Sequence, residues 1–498
     1  MTGGGVPNKA APFFAQMGRV AGIAVAAAVA AWSFAHVGTP GGVPVSVSRL
    51  GLSAAVAIHI VAIVWAGQRE RLMSPALWMA LWVAGPFVLI PAAFGYLHGV
   101  SDTSLSVVDV VHVGIWNASS AELMVSGFGA TLLAVAGLAW PKDTHSLAED
   151  DLLESVMPRF SFFLLLIAVS LVVLRFFVAP SALDVSHTSD VNAFVRHLAD
   201  GAMPAVSAST TVATYGFIRW GRRYAALLSL NALLGMASII LFITSKIVIL
   251  VLMSGALLCF VYSQVSVRRV VTAAAIVAAA ASVAVIGISN LREHISNMLI
   301  EPERLVLWST QGTGKPYDFH LNLIGPVTQK FWIRQATTGA CLQRVIEKRL
   351  DMPALEPPWY FMAGAIPQLF WPDKPSLSQG AAHAVLFCGY RKEDINHERP
   401  HSASITLLGE PIARAGSSGI VVAIISVALG LGFLSWIAQK QGSASKLFLA
   451  ALFPWLIDFD QTLSFYFANG LKSALYIATM MAGAYTLASA VKSTSRRR

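Results

Sequence analysis

Apolar runs of about 18 residues or more recur along this chain from near residue 20 to near residue 491. A helix of that length crosses the hydrocarbon core of a bilayer, which is roughly 30 Å thick. Hydrophobic residues make up 56% of the chain and charged residues 12%, too few to cover a water-soluble fold of this size. Because backbone groups inside a bilayer must pair within the segment, the chain is predicted to be an all-α polytopic membrane protein.

Twelve membrane spans are predicted. They lie near residues 18–36, 49–66, 74–97, 122–140, 160–179, 202–218, 225–244, 247–264, 269–289, 416–438, 446–467 and 471–491. The first is expected to be a retained helix rather than a cleaved signal, because it has full membrane length and further spans follow. Lys and Arg in short loops resist translocation across the membrane. With twelve spans, the Lys and Arg residues of this chain fall in every second loop between spans. Both termini are therefore predicted to be cytoplasmic.

Three domains follow from this arrangement. Residues 1–289 form an N-terminal bundle of about nine spans, residues 290–415 form one large extracytoplasmic (periplasmic) lobe, and residues 416–498 form three further spans with a basic tail. The lobe carries 13 Lys and Arg against 12 Asp and Glu, so most of the net charge of +9 lies in the rest of the chain. That excess sets topology, and we find no nucleic-acid-binding motif.

The three cysteines are placed unequally. Cys259 lies in a predicted span, whereas Cys341 and Cys388 both lie in the lobe. A periplasmic lobe is in an oxidising compartment, which predicts a Cys341–Cys388 disulfide. Two separate buried thiols are the alternative.

The middle of the lobe combines a helix with a proline-rich apolar segment. A helix is predicted near 328–350 and ends before Pro353, since proline lacks the donor that a helix needs. The following segment, WYFMAGAIPQLFWP, is apolar and rich in Trp and Tyr, which favours an interfacial or re-entrant position. Asp373 and Lys374 come next, between two prolines that restrict their direction.

The string FWPDKP, followed about thirty residues later by SASITLLGEPIARAGSSG, resembles the bacterial O-antigen or oligosaccharide repeat-unit polymerases of the Wzy type. The layout is similar too, with one large periplasmic loop late in a polytopic chain. The resemblance implies a metal-independent membrane glycosyltransferase, similar in class to the GT-C type, in the bacterial cytoplasmic membrane. It would polymerise undecaprenyl-diphosphate-linked repeat units and use no cofactor. The implied partners are that lipid-linked glycan, the bilayer and, optionally, a chain-length regulator, but no nucleic acid.

Two other activities share this layout. A ligase would transfer the glycan to another acceptor, and a lipid-linked oligosaccharide transporter would be polytopic without needing the lobe. A non-enzymatic assembly subunit is a further alternative.

A diphosphate leaving group needs fixed cations, and arginine suits this task because its planar fork matches phosphate oxygens. Arg334 and Arg399 are the first candidates for diphosphate contact. The further substrate-binding candidates are Arg349, Arg414, Arg175, Lys374 and, for sugar stacking, Trp371. A solvated surface charge is the alternative for each loop arginine, snorkelling for Arg175, and a rigid turn for residues 371–375.

The acceptor hydroxyl needs a group that orients or deprotonates it. Glu410, in a predicted turn just before the tenth span, is one candidate. His401, which together with His397 flanks Arg399, is another, so Glu410, His401 and Arg399 form the predicted catalytic set. Asp458 and Asp460 lie in a predicted span and should face the bundle interior, as an ion pair or as a base. On a helix they would point about 200° apart, which disfavours a shared metal.

Overall fold

The structure is a computed structural model. It describes residues 11–39, 42–65, 72, 74–89, 119–139, 151–178, 193–242, 338–339, 341–366, 371, 380–388, 405–440 and 443–496. Within these ranges the chain is helical, and no strand occurs. The helices are α1 (Ala11–Ala35), α2 (Gly42–Trp65), α3 (Pro75–Ala84, continued by a π-helical turn at Gly85–Leu89), α4 (Ser119–Leu138), α5 (Asp151–Val178), α6 (Ala193–Asp200), α7 (Ala202–Trp220), α8 (Ala225–Phe242), α9 (341–349), α10 (Met362–Ala365), α11 (Gly380–Phe387), α12 (Thr406–Lys440), α13 (Ser443–Leu456) and α14 (Leu463–Arg496).

Six stretches in the described part of the chain are long and apolar enough to cross a membrane. They are Gln16–Ala35, Val43–Ile63, Ser120–Leu138, Val156–Arg175, Thr406–Trp436 and Leu463–Lys492. Two shorter apolar helices, Pro75–Leu89 and Ala444–Leu456, accompany them. The protein is thus an all-helical polytopic membrane protein. The count of twelve spans stays a prediction, because the spans predicted at 247–264 and 269–289 lie outside the described residues.

The chain forms two compact units, each discontinuous in sequence. The first contains residues 1–145, 332–441 and 455–472, and the second contains residues 146–331, 442–454 and 473–498. The division into an N-terminal bundle, a periplasmic lobe and C-terminal spans concerns membrane topology and stays a prediction.

In the first unit, α1 packs along α2 and α4, and α3 packs on α4. Small residues allow these close approaches. A Cβ added at Gly22 would lie 2.9 Å from His59 Cε1, and one added at Gly127 would lie 2.9 Å from the Phe34 ring. Residues 341–349 lie at the end of this bundle where α4 begins, because Gln343 Oε1 accepts the main-chain N–H of Ala121 at 2.8 Å.

Helix α12 consists of two parts separated by a kink. Gly416 has a φ of +59°, and the main-chain oxygen of Met352 would lie 2.9 Å from a Cβ at that position. Every residue from 405 to 416 is buried, whereas the long part after the kink presents apolar residues outwards. The prediction that Glu410 lies in a turn is wrong, since residues 406–415 are helical in spite of Pro411.

The predicted span at 446–467 is also wrong. Helix α13 ends at Leu456, a non-helical stretch follows, and α14 begins at Leu463. Asp458 and Asp460 therefore lie in a break rather than on a helix. Pro454 weakens the last turn of α13, and Asp side chains compete with helical backbone hydrogen bonding, which together explain the interruption.

In the second unit, α5 packs on α7, and α8 packs on both of them. Ser207 Oγ donates to the main-chain oxygen of Ala451 at 2.5 Å, which ties α7 to the second-unit part of α13. Phe160 and Tyr485 contact edge to face, with ring centroids 6.5 Å apart.

Candidate functional site

A buried carboxylate lies within a cluster of charged and polar side chains in the first unit. Glu410, on the short buried part of α12, has an exposed fraction of 0%. Its Oε2 accepts the main-chain N–H of Ser464 at 2.9 Å, and its Oε1 accepts the Ser464 hydroxyl at 3.0 Å. Ser464 is in the first turn of α14, where N–H groups have no partner within the helix and the helix dipole favours negative charge. The helix terminus thus compensates part of the cost of burying Glu410.

Arg414 lies one helical turn after Glu410 and is almost as deeply buried, with an exposed fraction of 7%. Its Nε is 3.2 Å from Glu410 Oε1, and its Nη1 is 2.7 Å from both oxygens of the Glu356 carboxylate. The guanidinium also lies over the Tyr360 ring, 4.6 Å from the centroid. One cation is therefore held between two carboxylates and an aromatic face, which fixes its position.

The backbone around Arg414 is held by the segment that follows α9. The N–H groups of Leu355 and Glu356 both donate to the main-chain oxygen of Arg414, at 2.7 and 3.0 Å. Arg349 Nε donates to the main-chain oxygen of Ala413 at 3.2 Å, and its Nη2 donates to that of Pro353 at 3.0 Å. Arg349 thus braces the loop against the helix that carries the buried pair.

Aromatic packing holds the segment that carries Glu356 and Tyr360 against α14. The Phe361 ring stacks on Phe467 of α14, with centroids 5.0 Å apart. Burial and the nearby charge of Glu410 raise the pKa of the Tyr360 phenol, so its hydroxyl keeps its proton. The Ser464 hydroxyl lies close to Tyr360 Oη.

A disulfide closes the segment that contains Glu356 and Tyr360. Cys341 and Cys388 are bonded, which confirms the predicted pairing. Next to it on α11, His383 is buried, and burial together with the Arg414 charge lowers its pKa to about 4. His383 is therefore neutral at physiological pH.

Four buried polar atoms of Arg414, Tyr360 and His383 make no hydrogen bond with the described residues. They are Arg414 Nε and Nη2, Tyr360 Oη and His383 Nδ1, although Arg414 Nε forms the ion pair with Glu410. Buried polar atoms are nearly always paired, so these atoms are available to contact a water molecule or a bound group. The arrangement offers a carboxylate able to take a proton and, next to it, a guanidinium N–H able to contact an oxygen.

The break between α13 and α14 adds polar groups to the same unit. Asp458 Oδ2 accepts from Gln461 Nε2 at 2.7 Å, and Asn469 Nδ2 donates to Gln461 Oε1 at 2.8 Å. Tyr466 Oη donates to the main-chain oxygen of Leu456 at 2.9 Å. This gives the last carbonyl of α13 a hydrogen-bond partner that the helix itself cannot supply. Broken helices with polar linings occur in membrane proteins where the backbone is buried in protein or lines a cavity.

The predicted site residues separate into three groups. Glu410, Arg414 and Arg349 come together in the first unit. Trp371 is described in the same unit and is partly exposed, and Arg175 belongs to the second unit, where its Nη1 donates to Asp200 Oδ1 at 2.7 Å. The remaining candidates, Arg334, Lys374, Arg399 and His401, lie outside the described residues.

Sequence reasoning missed Glu356, Tyr360, His383 and Ser464. A signal existed for the first two, because Glu410 and Arg414 are spaced i,i+4, as are Glu356 and Tyr360. The Arg414 guanidinium could have been matched to the Glu356 carboxylate by their opposite charges. Nothing local distinguishes Ser464 from the other serines of an apolar span.

Comparison with protein-family models, with curated proteins and with solved structures found no match for this chain.

Proposed function

We propose that this protein is a membrane glycosyltransferase that polymerises undecaprenyl-diphosphate-linked oligosaccharide repeat units at the outer face of the bacterial cytoplasmic membrane. The observation that carries the proposal is the buried Glu410–Arg414 pair. It places a carboxylate and a fixed cation together on a short helix that leads directly into a membrane span. The reaction needs a base and a fixed cation close to the membrane, because the sugar is polar and the carrier is a membrane lipid.

The proposed reaction joins two lipid-linked glycans. The acceptor hydroxyl oxygen attacks the sugar carbon bonded to the donor diphosphate, and the bond from that carbon to the phosphate oxygen breaks. The hydroxyl proton passes to the Glu410 carboxylate, and undecaprenyl diphosphate leaves with the electron pair. Glu410 acts as the general base, and the Ser464 N–H and hydroxyl orient its carboxylate.

Arg414 has a positioning role in this scheme. Two carboxylates already surround it, so its main contribution is to hold Glu410 and to leave Nη2 for an oxygen of the substrate. The cations that balance the diphosphate are proposed to be Arg334 and Arg399, with His401 as an alternative base. The disulfide supports an oxidising compartment for this side of the protein.

The test uses purified protein in nanodiscs and synthetic undecaprenyl-diphosphate repeat units. Wild-type protein should yield a ladder of glycans that differ by one repeat unit. Glu410→Gln should abolish the ladder, because an amide cannot take the proton, although its single oxygen can still accept one of the two Ser464 hydrogen bonds.

Glu122→Gln is the matched control for this variant. Glu122 is a second carboxylate in the first unit that pairs with an arginine, with Arg49 Nη2 at 2.6 Å from its Oε2, but it lies between α2 and α4. This variant should keep the ladder. A full ladder from folded Glu410→Gln protein would contradict the role of Glu410, and transfer limited to a single unit would favour a ligase.

A second candidate function is transport of the lipid-linked oligosaccharide. The break between α13 and α14, with the α14 N-terminus directed at a carboxylate, is a feature that transporters use at substrate sites. Movement of labelled lipid-linked glycan across proteoliposomes, with no change in glycan length, would favour transport.

A further inference from the structure

The segment from Met352 to Ile366 has two different faces. Its inward side carries Glu356, Tyr360 and Phe361, which contact Arg414 and Phe467 as described above. Its outward side carries large apolar residues. Leu355 is 73% exposed, and Trp359 and Met362 are each 60% exposed. We call residues 352–366 the strap.

The backbone conformation places Trp359, Met362 and Ile366 on one side of the strap, and Met352 and Leu355 are exposed just before them. Met352, Leu355, Trp359, Met362 and Ile366 follow each other at steps of three or four residues. From Pro357 to Ile366 the main chain makes hydrogen bonds from residue i to residue i−3, including Met362 N to Trp359 O at 2.9 Å and Ala363 N to Tyr360 O at 3.1 Å. In tight turns of this kind, residues three apart share a face.

Several large apolar side chains exposed together on one short segment are typical of a contact site for protein or lipid. The strap is fastened to the main-chain oxygen of Arg414, which lies at the end of the short part of α12, two residues before the kink that begins the long part. That part exposes Val421, Ile425 and Leu429, three apolar residues spaced four apart, within a stretch long enough to span the membrane. The strap is therefore joined directly to a surface that lipid covers.

We infer that the outward face of the strap is seated in the bilayer interface and anchors the inward face against Arg414. Trp is a preferred residue at that depth, because its ring is apolar and its N–H is polar. The lipid contact on one face and the ion pair on the other belong to the same short segment. The position of Arg414 thus depends on the membrane surface as well as on the protein core.

The test measures the depth of the strap in full-length protein reconstituted in nanodiscs of phosphatidylethanolamine and phosphatidylglycerol. Leu355→Cys and Met362→Cys are made separately in a Cys259→Ser background, which keeps the Cys341–Cys388 disulfide, and are labelled with an environment-sensitive dye. Both labels should be quenched by lipids that carry a nitroxide near the headgroup, more strongly than by lipids that carry it near the chain end. Aqueous iodide should quench them weakly.

Glu347→Cys is the control, because Glu347 is an exposed charged residue on α9 of the same unit. Its label should be quenched by iodide and not by the nitroxide lipids. The inference is overturned if the labels at positions 355 and 362 behave like the label at 347. Those nanodiscs hold only protein and lipid, so that outcome would point to a protein partner as the occupant.

A second measurement needs no cysteine variant. Brominated lipids should quench part of the native tryptophan fluorescence, and Trp359→Phe should lose the share of that quenching that comes from Trp359. Equal quenching of wild-type and Trp359→Phe protein would overturn the inference even if the labelled variants misfold. Neither measurement uses polymerase activity, so failure of the proposed function leaves both results interpretable.

Discussion

The main-chain N–H of Ser464 donates to the Glu410 carboxylate at 2.9 Å, which joins the beginning of α14 to a residue 54 positions earlier in the chain. The Ser464 hydroxyl donates to the other oxygen of the same carboxylate at 3.0 Å. Both oxygens of Glu410 are thereby fixed by one residue. The direction of the proposed base therefore depends on where α14 begins.

Ser464→Ala removes the hydroxyl and keeps the N–H, so it tests orientation separately from folding. Loss of one buried hydrogen bond should lower the free energy of unfolding by about 1 kcal/mol, measured by denaturant titration in detergent. The rate of polymerisation should fall as well, because Glu410 Oε1 then keeps, among the described residues, only its ion pair with Arg414 Nε. Ser33→Ala, which removes a 2.6 Å hydrogen bond between Ser33 and Ser48, is the control and should lose similar stability with unchanged polymerisation.

Removing Arg414 should cost much more than removing Glu356. Arg414→Gln leaves Glu410 as an unpaired buried charge, a loss of about 3–5 kcal/mol in unfolding free energy. The Glu356 side chain is 40% exposed, so Glu356→Gln should cost less than about 1 kcal/mol. Thermal or denaturant unfolding distinguishes the two. Equal losses would contradict the view that Glu410 is the group that depends on Arg414.

Gly416 should not tolerate a side chain. Its φ of +59° is unfavourable for other residues, and a Cβ would approach the main-chain oxygen of Met352 to 2.9 Å. Gly416→Ala should therefore destabilise the protein by at least about 1–2 kcal/mol. Gly430 lies further along α12, and a Cβ added there would meet no neighbour within 4 Å. Gly430→Ala should therefore be neutral or slightly stabilising in the same unfolding assay.

Protonation of His383 should destabilise the protein in acid. Its pKa falls from an ordinary 6.5 to about 4 in the folded state, so between these values the unfolded chain binds more protons. Stability should fall as the pH is lowered from about 6.5 to about 4, by a total of about 2–3 kcal/mol. His383→Asn should flatten this part of a melting-temperature profile. A variant profile with the wild-type slope would exclude His383 as the cause.

The disulfide should stabilise the folded state of the segment between Cys341 and Cys388. Cys341 and Cys388 are 47 residues apart, and closing a loop of that length stabilises by about 3–4 kcal/mol in the chain-entropy model. The Cys341→Ser/Cys388→Ser double variant should unfold at lower temperature, whereas Cys259→Ser should leave the unfolding temperature unchanged. A mobility shift on reduction of wild-type protein, with none for the double variant, checks the bond itself.

The fold could be predicted from the sequence wherever a local pattern was sufficient. The apolar runs at 18–36, 49–66, 122–140 and 160–179 correspond to α1, α2, α4 and α5, because a long apolar run in a bilayer can only be helical. Residues 446–467 show where this reasoning fails. Their apolar composition conceals the break between Leu456 and Leu463, where protein packing around Phe459, Tyr466 and Asp460 allows non-helical backbone.

The sequence by itself determined that this is a helical membrane protein, because a long apolar run in a bilayer can only be helical. It placed Glu410 in a turn, and the structure instead puts Glu410 and Arg414 one turn apart on the same helix. Tertiary structure alone decided that Ser464 and Glu356, which lie 54 and 58 positions from their partners, complete the charged cluster. Contacts at that separation depend on where the chain breaks and turns. The packing of the whole unit determines where those breaks occur. A residue pattern within one segment does not encode that packing.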